Sequence, residues 1–128
     1  MQEIGLAFEV KPLTDDELTR RLQKEADSLD PADQRMLADL QKIFLSLRES
    51  PYGFGTEKLT ARPVVVGHKE FPLRSLNPRK RIELSHDHPD SHDIRIVYVI
   101  YKDHGETVIG LEGVYRHNKY MSKFKLDK

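Results

Sequence analysis

The chain contains no cysteine. A disulfide framework, a thiolate zinc site and a cysteine nucleophile are therefore excluded, and a reducing compartment is the expected setting. The opening residues MQEIGLAFEV lack the basic start and apolar run of a signal peptide, and no stretch approaches the roughly 20 apolar residues that cross a bilayer. A soluble, cytoplasmic protein without a membrane partner is expected. Net charge is lacking too: 21 Lys and Arg balance 21 Asp and Glu. Taken alone, that balance points away from nucleic acid, because phosphate contacts reward an excess of Lys and Arg.

The average hides an asymmetry. Residues 1–57 carry 7 Lys and Arg against 12 Asp and Glu, and residues 58–128 carry 14 against 9, so the halves stand at −5 and +5. Basic surface belongs to the second half, which permits RNA binding. The 128 residues suit one domain, 1–128, able to enclose a core without staples.

Ile4 to Val10 alternates apolar residues loosely and reads as a short strand ended by Lys11-Pro12-Leu13. Thr14-Asp15-Asp16-Glu17 is a capping box that opens a helix, with Leu18, Leu22 and Ala26 on one face. Asp30-Pro31 opens a second helix, whose Met36, Leu37, Leu40, Ile43, Phe44 and Leu47 recur at helical spacing. That stripe reads as core. Ser50-Pro51-Tyr52-Gly53-Phe54-Gly55 then breaks any helix. Strands are expected at Val64–Val66, Arg81–Leu84, Ile94–Tyr101 and Thr107–Arg116. The run IRIVYVIY is the clearest signal, suited to a central strand covered on at least one face. Residues 102–106 would join it to its antiparallel partner, and a short tail ends the chain. The fold class is α+β, an N-terminal strand and two helices packed on an antiparallel sheet.

This order of elements, with IRIVYVIYKDHGETVIGLEGVYRHNKY as its best local part, resembles the RelE/ParE superfamily of bacterial toxins from type II toxin–antitoxin systems. Leu73-Arg74-Ser75-Leu76 sits where that family has a leucine-containing loop, and Arg79-Lys80-Arg81 where it has a basic strand. The resemblance implies a RelE-like fold and a ribosome-dependent endoribonuclease that cuts mRNA, with a cognate antitoxin, the ribosome and mRNA as partners. Neither a metal nor another cofactor is implied.

Cleavage of RNA by its own 2′-hydroxyl needs a base for that proton, cations for the crowded phosphate and an acid for the leaving oxygen. Arg95 matches the family's strand arginine, and its planar cation suits a bidentate phosphate clamp. Arg116 and Tyr120 match a second arginine and a terminal tyrosine, assigned to transition-state charge and to base stacking or proton transfer, with a ring packed on the core as the other reading of Tyr120. His117 carries an imidazole, the side chain that exchanges protons near neutral pH. Arg79, Lys80, Arg81 and Lys119 complete the expected RNA-binding surface.

Relative to the family the chain is long and neutral, and residues 85–93 look inserted. Relatives that poison DNA gyrase share the fold, so a gyrase poison or a non-catalytic binding module is the alternative. A third class arises at His86-Asp87-His88-Pro89-Asp90-Ser91-His92, where three imidazoles and two carboxylates fall within seven residues. The segment resembles the HxHxDH motif of metallo-β-lactamase-like hydrolases, but Ser91 stands in the place of the final histidine and the chain is too short for that fold. A polar loop is the expectation there, and a metal-dependent phosphoesterase using His86, His88 and His92 the rival.

Overall fold

A computed structural model of the chain describes residues 6, 8–10, 14, 16–18, 20–21, 24, 35–59, 64–78 and 94–124. The expected strand at residues 81–84, the start of the second helix at Asp30-Pro31 and the histidine loop at 86–92 lie outside them.

At the N-terminus, β1 (Phe8–Glu9) falls within the expected strand Ile4–Val10. Thr14 then caps helical residues in the way its sequence predicts. Its hydroxyl accepts from the Glu17 N–H at 3.2 Å, and the Glu17 carboxylate accepts from the Thr14 N–H at 3.4 Å. This start directs Leu18 into the core, where it is buried. The second helix, α1 (Arg35–Glu49), delivers Ile43, Phe44 and Leu47 to the same core and leaves Leu45, off that stripe, exposed.

Two sheets follow. The larger has the order β1-β7-β6-β5-β2, with every neighbouring pair antiparallel. Its members besides β1 are β2 (Thr56–Lys58), β5 (Arg74–Leu76), β6 (Ile94–Asp103) and β7 (Glu106–Arg116). The smaller is a hairpin of β3 (Val64–Val66) and β4 (Lys69–Phe71). After β7 comes α2 (His117–Lys123), a helix in place of the expected tail.

The central strand β6 explains the unbroken apolar run. Ile94, Ile96 and Tyr98 point to the core shared with Leu18 and α1, whereas Val97, Val99 and Tyr101 point to a second core with Val64, Leu73, Tyr120 and Phe124. Both faces of the sheet are covered, one by the helices and the other by the β3–β4 hairpin and α2. Tyr101 also donates its hydroxyl to the Glu9 carboxylate, which ties the end of β1 to the middle of the sheet.

Two expectations change. Residues 102–106 do not form a five-residue loop, because Lys102 pairs with Thr107 and Asp103 with Glu106. Only His104 and Gly105 turn the chain, both with positive φ, 50° and 82°. That is the geometry two-residue hairpins favour, since its twist matches the strands. Leu73–Leu76 is not a loop either, for Arg74–Leu76 is an interior strand between β2 and β6. Three residues are too few for an alternating pattern to announce it.

The β6–β7 ladder contains a bulge. Val97 pairs with Gly113 and Tyr98 with Leu111, so Glu112 has no opposite number. Its side chain is nonetheless buried, accepting a hydrogen bond from the Tyr115 hydroxyl and lying 4.0 Å from the Lys123 ammonium on α2. Gly113 permits this, because a Cβ there would stand 2.7 Å from the Tyr115 hydroxyl oxygen.

Candidate active site

The pleat decides which side chains can meet. Glu57 pairs with Ser75 and Ser75 with Val97, so all three share the face that carries Val97, and Arg95, two residues earlier on β6, shares it too. On this face opens a cleft of about 620 Å³, lined by Gly53, Phe54, Gly55, Thr56, Glu57, Asn77 and Arg95.

One wall is the loop between α1 and β2, and it is pinned by its own backbone. The Gly53 N–H donates to the Ser50 carbonyl at 3.3 Å, and the Gly53 carbonyl accepts from the Thr56 N–H at 3.2 Å and the Thr56 hydroxyl at 2.8 Å. Across the cleft, the Asn77 N–H donates to the Gly55 carbonyl at 2.8 Å. Gly55 holds a φ of 86°, open to glycine at little cost. From below, the buried Tyr98 donates its hydroxyl to the Pro51 carbonyl. Phe54 therefore projects from a braced turn and is 77% exposed.

Arg95 is half-buried in the wall opposite. Its Nη1 donates to the Ile94 carbonyl at 2.9 Å, and its guanidinium carbon lies 5.9 Å from the centre of the Tyr120 ring, within cation–π range. Tyr120 is 2% exposed, its ring 5.6 Å from that of Phe124. Its hydroxyl is buried, with the Ser75 side chain as a polar neighbour. Burial raises the pKa of that hydroxyl; Glu57 adds to the rise, while Ser75 and Arg95 oppose it.

The expected site residues are thus only partly assembled. Arg95 and Tyr120 meet, but Tyr120 is a core residue that offers no face to a base. Its expected stacking role is corrected on that ground. Arg116 pairs with Ile94, whose side chain enters the helix-side core, so the pleat directs Arg116 away from the face of Arg95. The two arginines assigned to the phosphate therefore do not share a face. His117 is half-buried at the first position of α2, and Lys119 is exposed on the same helix. Arg79, Lys80 and Arg81 lie outside the described residues. So do His86, His88 and His92, and among the described residues no three His, Asp or Glu side chains gather as a metal-binding set.

Three cleft residues escape a reading of the sequence alone: Glu57, Phe54 and Asn77. Glu57 belongs to a three-residue polar strand, and Asn77 follows another short strand. For Phe54 a signal exists, since an aromatic residue set between two glycines has little chance of being covered by its own loop. Chemically, the cleft pairs a planar cation suited to phosphate with a carboxylate able to accept a proton, beside an exposed aromatic ring.

No family model, curated protein or solved structure matches the chain. Among the described residues, no helix is long and apolar enough to cross a membrane.

Proposed function

We propose that this chain is a toxin of the RelE/ParE type, a metal-independent, ribosome-dependent endoribonuclease that cuts mRNA and is restrained by a cognate antitoxin. The observation that carries the reading is that Arg95 and Glu57 line one open cleft on the same face of the sheet. The order of elements adds support: a strand, helical segments, then antiparallel strands with β1 beside β7.

In this reaction the 2′-oxygen of a nucleotide attacks its neighbouring phosphorus while Glu57 takes the 2′-hydroxyl proton. Arg95 holds the non-bridging oxygens as negative charge gathers on them. The bond to the 5′-oxygen breaks, leaving a 2′,3′-cyclic phosphate on one fragment. The departing oxygen needs a proton, and His117, at the first position of α2 and not among the residues that line the cleft, is the side chain assigned that role. Arg79, Lys80, Arg81 and Lys119 are the further cations assigned to mRNA and the ribosome.

A second reading, a non-catalytic binding module or gyrase poison, is favoured by the burial of Tyr120 and by the opposed directions of Arg95 and Arg116. Purified protein added to ribosomes carrying a defined mRNA separates the two. The toxin reading expects new 5′-hydroxyl ends in the decoding site and growth arrest on expression without a partner. Intact mRNA would favour the second reading, with unimpaired growth pointing to the binding module and growth arrest to the gyrase poison.

A further inference from the structure

We infer that Phe54 is a stacking platform for one unpaired base of a bound single-stranded nucleic acid, beside a phosphate held by Arg95. The inference rests on the RNA reading above and adds the part of the molecule that grips the strand.

Phe54 at 77% and Tyr52 at 66% are far more exposed than the other large apolar side chains described. An exposed ring on a slack loop would fold down onto apolar surface, since burying it is favourable. Here the Ser50–Gly53, Gly53–Thr56 and Gly55–Asn77 backbone bonds and the Tyr98–Pro51 bond fix the loop with the ring outward. Preorganisation of that kind reduces the ordering cost of a ligand.

The surroundings select the ligand. Phe54 shares its cleft with Arg95 and Asn77. An aromatic face beside a cation is how single strands are held, the ring taking a base of any sequence and the cation the backbone. Asn77 carries a side-chain amide, a donor and an acceptor of the kind that reads a base edge. Tyr52 is different: the Arg74 guanidinium lies 5.1 Å over its ring, and it does not line the cleft.

The test uses two single-stranded probes of about eight nucleotides, both 2′-O-methylated so that neither can be cut. One carries its bases and the other is abasic at every second position. Each is titrated into isotope-labelled full-length protein and followed through the amide signals of Gly53, Phe54 and Gly55. Wild-type protein is expected to bind the base-bearing strand about tenfold more tightly, in line with stacking on an aromatic side chain. Phe54→Leu should erase that preference, Phe54→Tyr should keep it, and Tyr52→Ala should leave it unchanged. Equal affinity for the two strands, no response to either strand, or a preference that survives in Phe54→Leu would overturn the inference and leave the ring to a protein partner. Because the probes cannot be cleaved, base-dependent binding stands or falls apart from the catalytic reading, which the loss of cleavage in Arg95→Ala tests separately.

Discussion

Arg95 donates to the Ile94 carbonyl and lies beside the Tyr120 ring, and its flat, delocalised cation suits both a ring face and a bidentate grip on phosphate. Arg95→Lys keeps the charge but loses the planar fork, so its mRNA cleavage should fall well below wild type while thermal melting changes little. Cleavage at the wild-type rate would show that charge alone suffices. Glu112 makes a prediction about stability. Its carboxyl pKa is raised by burial, with the Tyr115 hydrogen bond and Lys123 partly offsetting the rise. The folded state therefore holds this proton more tightly than the unfolded chain. Stability from Glu112 is fully present below the ordinary carboxylate pKa and is lost as pH rises through the raised value. Glu112→Gln should accordingly flatten the decline in melting temperature from about pH 4 upward, and melts across a buffer series would reveal an unchanged slope if the assignment is wrong. At this scale the sequence makes Arg95 legible, because an arginine inside an apolar strand stands out. It misplaces Arg116 and Tyr120, since nearness along the chain does not say which side of a pleat a residue takes or how deeply a helix packs. Glu57 and Glu112 are invisible in it: one sits on an ordinary polar strand, and the other is buried only because a bulge turns it inward.

The longest strands are legible as elements because β6 and β7 combine β-branched and aromatic residues over 10 and 11 positions. Their turn is not, because Lys102-Asp103 and Glu106 look like loop residues, yet strand pairing absorbs them. The turn yields a test of that geometry. Gly105 has a φ of 82°, and a Cβ added there would find nothing within 4 Å, so Gly105→Ala would meet no clash. Its cost is purely conformational, about 1–2 kcal/mol for an L-residue in the left-handed region. Urea unfolding should detect a loss of that size, and a neutral result would contradict the two-residue turn. The Thr14 capping box is legible because capping is local in sequence. The strands β2, β4 and β5, of three residues each, are not, because neighbouring strands rather than a pattern of their own create them.

Across the whole molecule, the acidic first half and the basic second half meet at the cleft: Phe54 and Glu57 come from residues 1–57, and Asn77 and Arg95 from residues 58–128. The loop and β2 carry the ring and the carboxylate, while the sheet interior carries the guanidinium. Neither half holds the set alone, so the charge asymmetry of the sequence does not announce a carboxylate and an arginine in one cleft. The account depends most on Glu57 and Arg95 acting together, which is best measured as the single-turnover rate of mRNA cleavage on programmed ribosomes. Wild type, Glu57→Gln and Arg95→Ala would be compared there, with thermal melts confirming that each is folded. Loss of a positioned donor to transition-state charge should slow Arg95→Ala roughly a hundred- to thousand-fold, and loss of the base should slow Glu57→Gln by roughly 10²–10⁴. Wild-type rates in both variants, or no cleavage by the wild-type protein, would contradict the catalytic assignment.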